Sequence, residues 1–352
     1  MPSVWFALVA LMLTTYAVLD GFDFGAGIVH LLVAKTEDER KQVFGAIGPV
    51  WDGNEVWLIA SGGVFVFAFP RAYAAAFSGL YLPLMIVLWL LVLRGLSIEL
   101  RGKLEHPLWR AAHDAMFAFS STVMAIVLGI ALGNVLRGVP LDATGYFQED
   151  PFTDISPLGV GTTGRVGAID GYTLLVGVFA AVTLGAHGAT FLVWKTVGEV
   201  NARARSLGAR LWLGAIALAV VVSVATWAVH RSYFDTFLAR PWLFPLPALA
   251  LAAGAYARRA LGRGEEVAAF GASCSFVGAF LVTTAATLFP TLLRSTIDPA
   301  LSLDVHNAAS PHATLALGLA VWIPAMILAT GYFAYLYRTH RGKVDPDAHG
   351  HD

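Results

Sequence analysis

Residues 4–34 read VWFALVALMLTTYAVLDGFDFGAGIVHLLVA, a run whose only strongly polar groups are Asp20, Asp23 and His30. A stretch of about 20 apolar residues spans the hydrocarbon core of a bilayer. A water-soluble core helix is usually shorter and leaves one face polar. This run is longer, has no polar face, and carries its two carboxylates near its middle. It therefore reads as a membrane-crossing helix with charge built into it.

Eight more such stretches follow outward from it. Hydropathy and turn signals place helices at about 4–34, 52–69, 72–98, 113–136, 166–194, 211–230, 243–260, 266–293 and 312–337. The fold class is an all-α integral membrane protein of about nine transmembrane helices. The spans divide the 352 residues into a four-helix unit over 1–136, an extracytoplasmic loop at 137–165, a five-helix unit over 166–337, and a cytoplasmic tail at 338–352. Composition agrees, with 57% hydrophobic and 13% charged residues, where soluble domains carry about a quarter charged. The formal net charge of −1 gives no basic patch for a nucleic acid. Cys274 is the only cysteine, which excludes an intrachain disulfide and a thiolate metal cluster. Residues 1–19 lack a charged start and run straight into the first span, so no cleavable signal peptide is expected.

Basic residues orient the spans. With nine crossings, sixteen of the 23 lysines and arginines fall on the side of the carboxyl end and six on the other, with Arg94 inside a span. Cytoplasmic loops carry the excess of Lys and Arg. The reading is a bacterial plasma-membrane protein with its amino end outside and its carboxyl end inside. Removing the short second helix would scatter the basic loops to both sides, which argues for keeping it. Asp142, Glu149, Asp150 and Asp154 mark the 137–165 connection as an ordinary polar loop. The tail, with His340, His349 and His351, reads as a frayed terminus rather than a metal site.

Ionisable groups inside spans cost about 2.5–3.5 kcal/mol or more near the bilayer centre, so they are the informative residues. Asp20-Gly-Phe-Asp23-Phe-Gly-Ala-Gly27 puts two carboxylates on one helix face, among glycines that admit a neighbouring helix. They either cap backbone at a helix break or form a proton or cation relay. Gly48-Pro-Val-Trp51-Asp52-Gly-Asn-Glu55-Val-Trp57 opens the second helix. Asp52 has the position of an N-cap and Glu55 that of its capping-box partner, while Trp51 and Trp57 suit an interfacial belt. Arg94, near the end of the third helix, either snorkels to the interface or compensates Asp52 or Glu55 across a helix contact. His30 and His187 are the intramembrane histidines. Each reads as a pore-lining or helix-to-helix hydrogen-bonding group before a haem ligand. A short echo, Leu-Asp-Gly-Phe at 19–22 and Ile-Asp-Gly-Tyr at 169–172, is too brief to establish a duplication.

At these motifs the chain resembles subunit II of the cytochrome bd-type quinol oxidases. The resemblance rests on Asp20-Gly-Phe-Asp-Phe-Gly25, on Gly48-Pro-Val-Trp-Asp-Gly-Asn-Glu-Val-Trp57, and on Phe69-Pro-Arg-Ala-Tyr-Ala-Ala-Ala-Phe-Ser-Gly-Leu-Tyr81. Thr196-Val-Gly-Glu199 and Phe289-Pro290 extend it over essentially the whole chain. It implies two four-helix bundles plus a peripheral helix, in complex with a haem-bearing subunit I. That partner is expected to hold haems b and d and the quinol site, and the complex to reduce dioxygen to water. This chain is expected to bind no catalytic haem and no metal, with a structural quinone, a single-helix accessory subunit and membrane lipid as further companions. The resemblance carries a proton-pathway role onto Asp52, Asp20, Asp23 and Glu55. Arg94, Trp51 and Trp57 become charge-compensating or interface residues, with Trp57 near an oxygen path into the partner. The competing readings are a proton- or cation-coupled secondary transporter, which Gly-interrupted helices with mid-membrane carboxylates would suit, and a chain that ligates haem itself.

Overall fold

The computed structural model describes residues 1–147 and 167–344. Glu149, Asp150, Asp154, Asp345, Asp347, His349 and His351 lie outside the described residues. Helix α1 (Pro2–Val33) is followed by the short α2 (Glu37–Ile47), then α3 (Trp51–Ala68), α4 (Pro70–Gly79), α5 (Tyr81–Leu100) and α6 (Pro107–Arg137). Beyond the 137–165 segment come α7 (Gly171–Lys195), α8 (Gly198–Val229), α9 (Arg231–Ala239), α10 (Pro245–Arg263), α11 (Glu266–Leu288) and α12 (His312–Thr339). Two short strands, β1 (Thr291–Leu293) and β2 (Leu303–Asp304), pair antiparallel between α11 and α12.

Helices α1, α3, α5 and α6 pack into one four-helix group, and α7, α8, α10 and α11 into another. Helix α1 also lies against α7, and α6 against α7, so the two groups share a seam. Helix α12 packs lightly and leaves most of its surface exposed. Seven helices among the described residues are long and apolar enough to cross a membrane, and the bent pair α9–α10, at 100°, makes an eighth. A ninth crossing requires α3, whose polar first two turns keep it out of that set.

Three expected boundaries shift for identifiable reasons. The span expected at 72–98 is broken at Leu80 into α4 and α5. Pro83 cannot donate to the carbonyl of Gly79, and its ring crowds that carbonyl. Helix α8 starts at Gly198 rather than near 211, because its first three turns are polar and hydropathy does not register them. Helix α7 starts at Gly171, where Asp170 and Thr173 form a capping box.

The ends of the molecule differ. At one end lie α2, the 101–106 turn, the α7–α8 and α10–α11 connections and the carboxyl end of α12. Ion pairs tie them together: Arg203 to Glu39 at 2.5 Å, Arg205 to Glu266 at 2.7 Å and Lys343 to Glu266 at 2.6 Å. Residues 340–344 are docked rather than frayed. Lys195 Nζ donates to the His340 carbonyl at 2.5 Å, and Val344 N donates to the Lys195 carbonyl at 2.8 Å. At the other end, α4 and the strand pair close over an apolar cluster that includes Trp5, Phe69, Phe147 and Leu293.

Candidate functional site

Along α1, Tyr16, Asp20, Asp23, Gly27 and His30 recur at alternating steps of four and three, so they form one stripe on a single helix face. All five are buried, and the stripe faces α3, α5 and α6. A polar stripe inside an apolar bundle must find its partners on the neighbouring helices.

Arg94 reaches it from α5. Its Nη1 donates to Asp20 Oδ1 at 2.6 Å and its Nη2 to Asp20 Oδ2 at 3.1 Å, a forked pair. The same Nη2 donates to Glu55 Oε2 at 2.7 Å. The Arg94 and Asp20 side chains are 0% exposed and that of Glu55 20%, so Glu55 is the edge through which this ion cluster meets the surface. The guanidinium also lies 4.2 Å from the centre of the Phe24 ring, a cation–π contact. One turn further along α1, Asp23 Oδ2 accepts from Asn54 Nδ2 at 2.8 Å, and Tyr337 on α12 donates to Asn54 Oδ1 at 2.9 Å. Two carboxyl groups, Asp20 and Glu55, therefore share one guanidinium, and a third, Asp23, lies one turn further along α1.

Several expectations need correction here. Arg94 does not snorkel; it compensates Glu55, one of its two expected partners, and not Asp52, and it also pairs with Asp20. Asp52 is not the N-cap of α3. The cap position is Val50, with no side-chain capping bond. Gly48 keeps helical dihedrals after α2 and the Val50 carbonyl accepts from Asn54 N, so the helix begins before Asp52 can cap it. Released from a capping box, Glu55 turns inward to Arg94, while Asp52 stays exposed in the first turn. Trp51 lies against Gly95 of α5, and Trp57 packs on Phe333 of α12 with ring centres 5.6 Å apart.

A second polar centre, which includes His30, lies at the α2 end. His30 Nε2 is 2.9 Å from Asp114 Oδ1, and Asp114 also accepts from Arg40 at 2.9 Å and from Arg101 at 2.6 and 3.1 Å. Arg101 continues to Glu37 at 2.9 and 3.1 Å. The second Asp-Gly echo has an arginine partner as well, because Asp170 pairs with Arg137. That pair sits at the opposite end, where Arg137 also meets Asn134.

Both intramembrane histidines are engaged by protein groups. His187 has both ring nitrogens engaged, Nδ1 with Ser273 Oγ at 2.8 Å and Nε2 with the Val18 carbonyl at 2.9 Å. His30 is committed to Asp114 and wedged between Phe44 and Phe117. No group of three or more His, Cys, Asp or Glu residues among the described residues is arranged to hold a metal ion.

Fold and site together define a polytopic helical membrane protein that keeps fixed charge in its interior. Comparison with known proteins makes this specific. The family model for cytochrome bd terminal oxidase subunit II matches residues 1–340, and the chain belongs to that family. It is 32% identical to the probable cytochrome oxidase subunit 2 of Haemophilus influenzae, over 97% of this chain and 94% of the relative. It is 30% identical to the cytochrome bd ubiquinol oxidase subunit 2 of Bacillus subtilis, over 98% of each chain. Against the cytochrome bd-I ubiquinol oxidase subunit 2 of Escherichia coli the figure is 29%, over 97% of this chain and 94% of the relative. The fold superposes on a chain of the bd oxidase of Geobacillus thermodenitrificans with a TM-score of 0.75 at 19% identity, covering 96% of this chain and 98% of that one. The protein is thus a subunit of a quinol-oxidising oxidoreductase complex in a bacterial membrane, built with a subunit I partner.

Proposed function

We propose that this chain is the haem-free subunit of its oxidase. In this reading it scaffolds a subunit I that carries haems b and d and the quinol site, and it helps bring protons from the cytoplasm toward the oxygen-reducing haem. The observation that carries the reading is the buried group Asp20, Asp23, Glu55 and Arg94, costly to place in a bilayer and pointless for packing alone. Dioxygen reduction consumes protons, and a carboxyl that takes a proton on one oxygen and loses it from the other can pass it inward. Arg94 would hold Asp20 and Glu55 in fixed orientation, and Asn54 would do the same for Asp23. Asp52 would serve at the cytoplasmic face, with Trp51 and Trp57 on the side turned to the partner.

The proposed orientation puts the amino end outside and the carboxyl end in the cytoplasm. The gathering of the basic connections at the α2 end supports it, through the positive-inside rule. Nine crossings follow if α3 spans the bilayer. A single-helix accessory subunit and a structural quinone belong to the same expectation.

The test is Asp20→Asn and Asp52→Asn in the purified two-subunit complex, with quinol-driven oxygen consumption and the haem spectrum measured together. Slower turnover with an intact spectrum is expected for both. Wild-type turnover in both assembled variants would falsify the relay. Loss of the haem spectrum would instead assign Asp20 to holding the subunits together.

A further inference from the structure

We propose that His30, with Asp114, is the mouth through which protons from the α2 end reach the Asp20–Asp23 cluster, and that Ser121 is the station between. This deepens the proton-delivery reading and rests on it.

The residues lie in register. His30, Gly27 and Asp23 share one face of α1, and about 10 Å of helix separates the first from the last, at 1.5 Å per residue. Asp114, Phe117 and Ser121 share one face of α6 and meet that stripe in the same order. Asp114 bonds His30 at 2.9 Å, Phe117 packs against both His30 and Gly27, and Ser121 Oγ presses on Gly27. A Cβ placed on Gly27 would stand 2.1 Å from that hydroxyl oxygen. The glycine is what lets the hydroxyl reach the α1 surface.

Three atoms along this line are buried and have hydrogen-bonding capacity that no protein group meets: His30 Nδ1, Ser121 Oγ and Asp23 Oδ1. Buried polar atoms are almost always paired with protein or with ordered water, and internal water characteristically bridges such groups. Three unmet groups in a row, between one charged centre and another, mark the course a hydrogen-bonded chain would take. Packing alone would have been served by apolar side chains at all three positions.

The chemistry suits imidazole. The Asp114 carboxylate, bonded by Arg40 and Arg101, accepts from His30 Nε2–H, so Nδ1 is the nitrogen that takes up a proton, and the imidazolium formed, held by Asp114, releases that proton from Nδ1 toward Ser121. The Ser121 hydroxyl accepts that proton as it gives up its own toward Asp23 Oδ1. No charge is left behind in the bundle. The charged groups around the mouth are Asp114 from α6, Arg40 and Glu37 from α2, Arg101 from the turn after α5, and Arg110 from α6, which reaches Glu37 at 3.3 Å. Glu37 is about one-third exposed and Asp114 almost fully buried, so the group opens at Glu37 and closes at His30. Asp52, by contrast, stands exposed on the flank of α3.

The experiment uses the whole two-subunit oxidase in liposomes and compares His30→Gln, Ser121→Ala, Asp52→Asn and Asp20→Asn. Oxygen consumption, proton uptake on the α2 side, the solvent deuterium isotope effect and the thermal unfolding midpoint are recorded for each. Glutamine keeps a hydrogen bond to Asp114 but cannot take up a proton. We expect His30→Gln to slow turnover and proton uptake by about tenfold or more, the scale of a lost proton-transfer group. The isotope effect should rise and the unfolding midpoint stay near that of the wild type. Ser121→Ala should give a smaller loss in the same sense. Wild-type rate and isotope effect in assembled His30→Gln overturn the proposal. If that variant does not assemble, Ser121→Ala decides, and a wild-type profile there overturns it. Slow Asp20→Asn or Asp52→Asn beside normal His30→Gln would leave the carboxylate relay standing and remove only this mouth. Wild-type behaviour in all four variants would remove both.

Discussion

Arg94 is the residue on which the interior depends. Its guanidinium is fully buried and supplies the forked partner of Asp20 and the partner of Glu55. Removing one member of a buried ion pair costs about 3–5 kcal/mol, because the remaining charge stays in a poorly polarisable medium. Arg94→Leu is therefore expected to abolish accumulation of the complex, read as loss of this subunit from detergent-extracted membranes. Arg94→Lys should assemble but unfold at a lower temperature, since an ammonium cannot reproduce the fork. Equal thermal stability of the lysine variant and the wild type would mean that charge alone is needed. The sequence marked these residues as ionisable groups stranded in apolar runs, and Asp20, Asp23, Glu55 and Arg94 do come together. It did not reveal the pairing, because Arg94 lies 74 positions from Asp20 and either carboxylate of the 52–55 turn satisfied the local pattern. Asp114 gives no such signal, because it stands near the start of an apolar run, where charge is ordinary. The step-of-seven spacing from Asp23 to His30 was the available signal for the stripe they form.

At the scale of elements, the α1–α7 crossing sets the geometry of the stripe. A Cβ on Gly25 would stand 1.9 Å from the Leu184 carbonyl oxygen, and one on Gly188 would stand 2.1 Å from the Gly25 carbonyl carbon. Both collisions are with backbone, so no side-chain rotation relieves them, and the helices touch there as small residues allow in membranes. Gly25→Ala should separate α1 from α7 and lower the unfolding midpoint of the complex by several degrees, as expected for about 1–3 kcal/mol of overpacking. Gly62→Ala on α3 has no atom within 4 Å of the added methyl and should leave the midpoint unchanged. A Gly25→Ala midpoint equal to that of Gly62→Ala would count against the crossing as drawn. The glycines around Asp20 were legible as a sign of close approach, though not which helix approaches. Most helices were legible from apolar length, since a bilayer demands it. The break at Leu80 and the polar start of α8 were less so, because proline geometry and solvated turns leave no trace in hydropathy.

Over the whole molecule, the end that carries the basic connections is also where the two helical groups are tied by charge. Glu39 stands on α2, which follows α1 of the first group, and Arg203 on α8 of the second, and they meet at 2.5 and 3.1 Å. Glu39 also accepts from the backbone N–H groups of Lys35 and Thr36, which closes the α2 capping box. The hydrogen bond from Arg203, followed by those two backbone bonds, holds the Glu39 carboxyl at about 2, below its ordinary 4.5. A carboxyl depressed on folding contributes stability that is fully present above the ordinary value and is lost as pH falls through the folded one. Glu39→Gln keeps an oxygen for the capping bonds but loses the charge and the acceptor that faces Arg203 Nη2. The variant should unfold at a lower temperature than the wild type at pH 7, by an amount corresponding to about 1 kcal/mol for a partly exposed pair. The gap should stay constant down to about pH 5 and shrink below 4.5 toward zero near 2, following the two carboxyl values. Thermal unfolding of the detergent-solubilised complex at pH 7, 5 and 3.5 reads this directly. A gap that grows on acidification would mean that Glu39 acts through its cap rather than through Arg203, and the charged tie between the two groups would then have to be carried elsewhere.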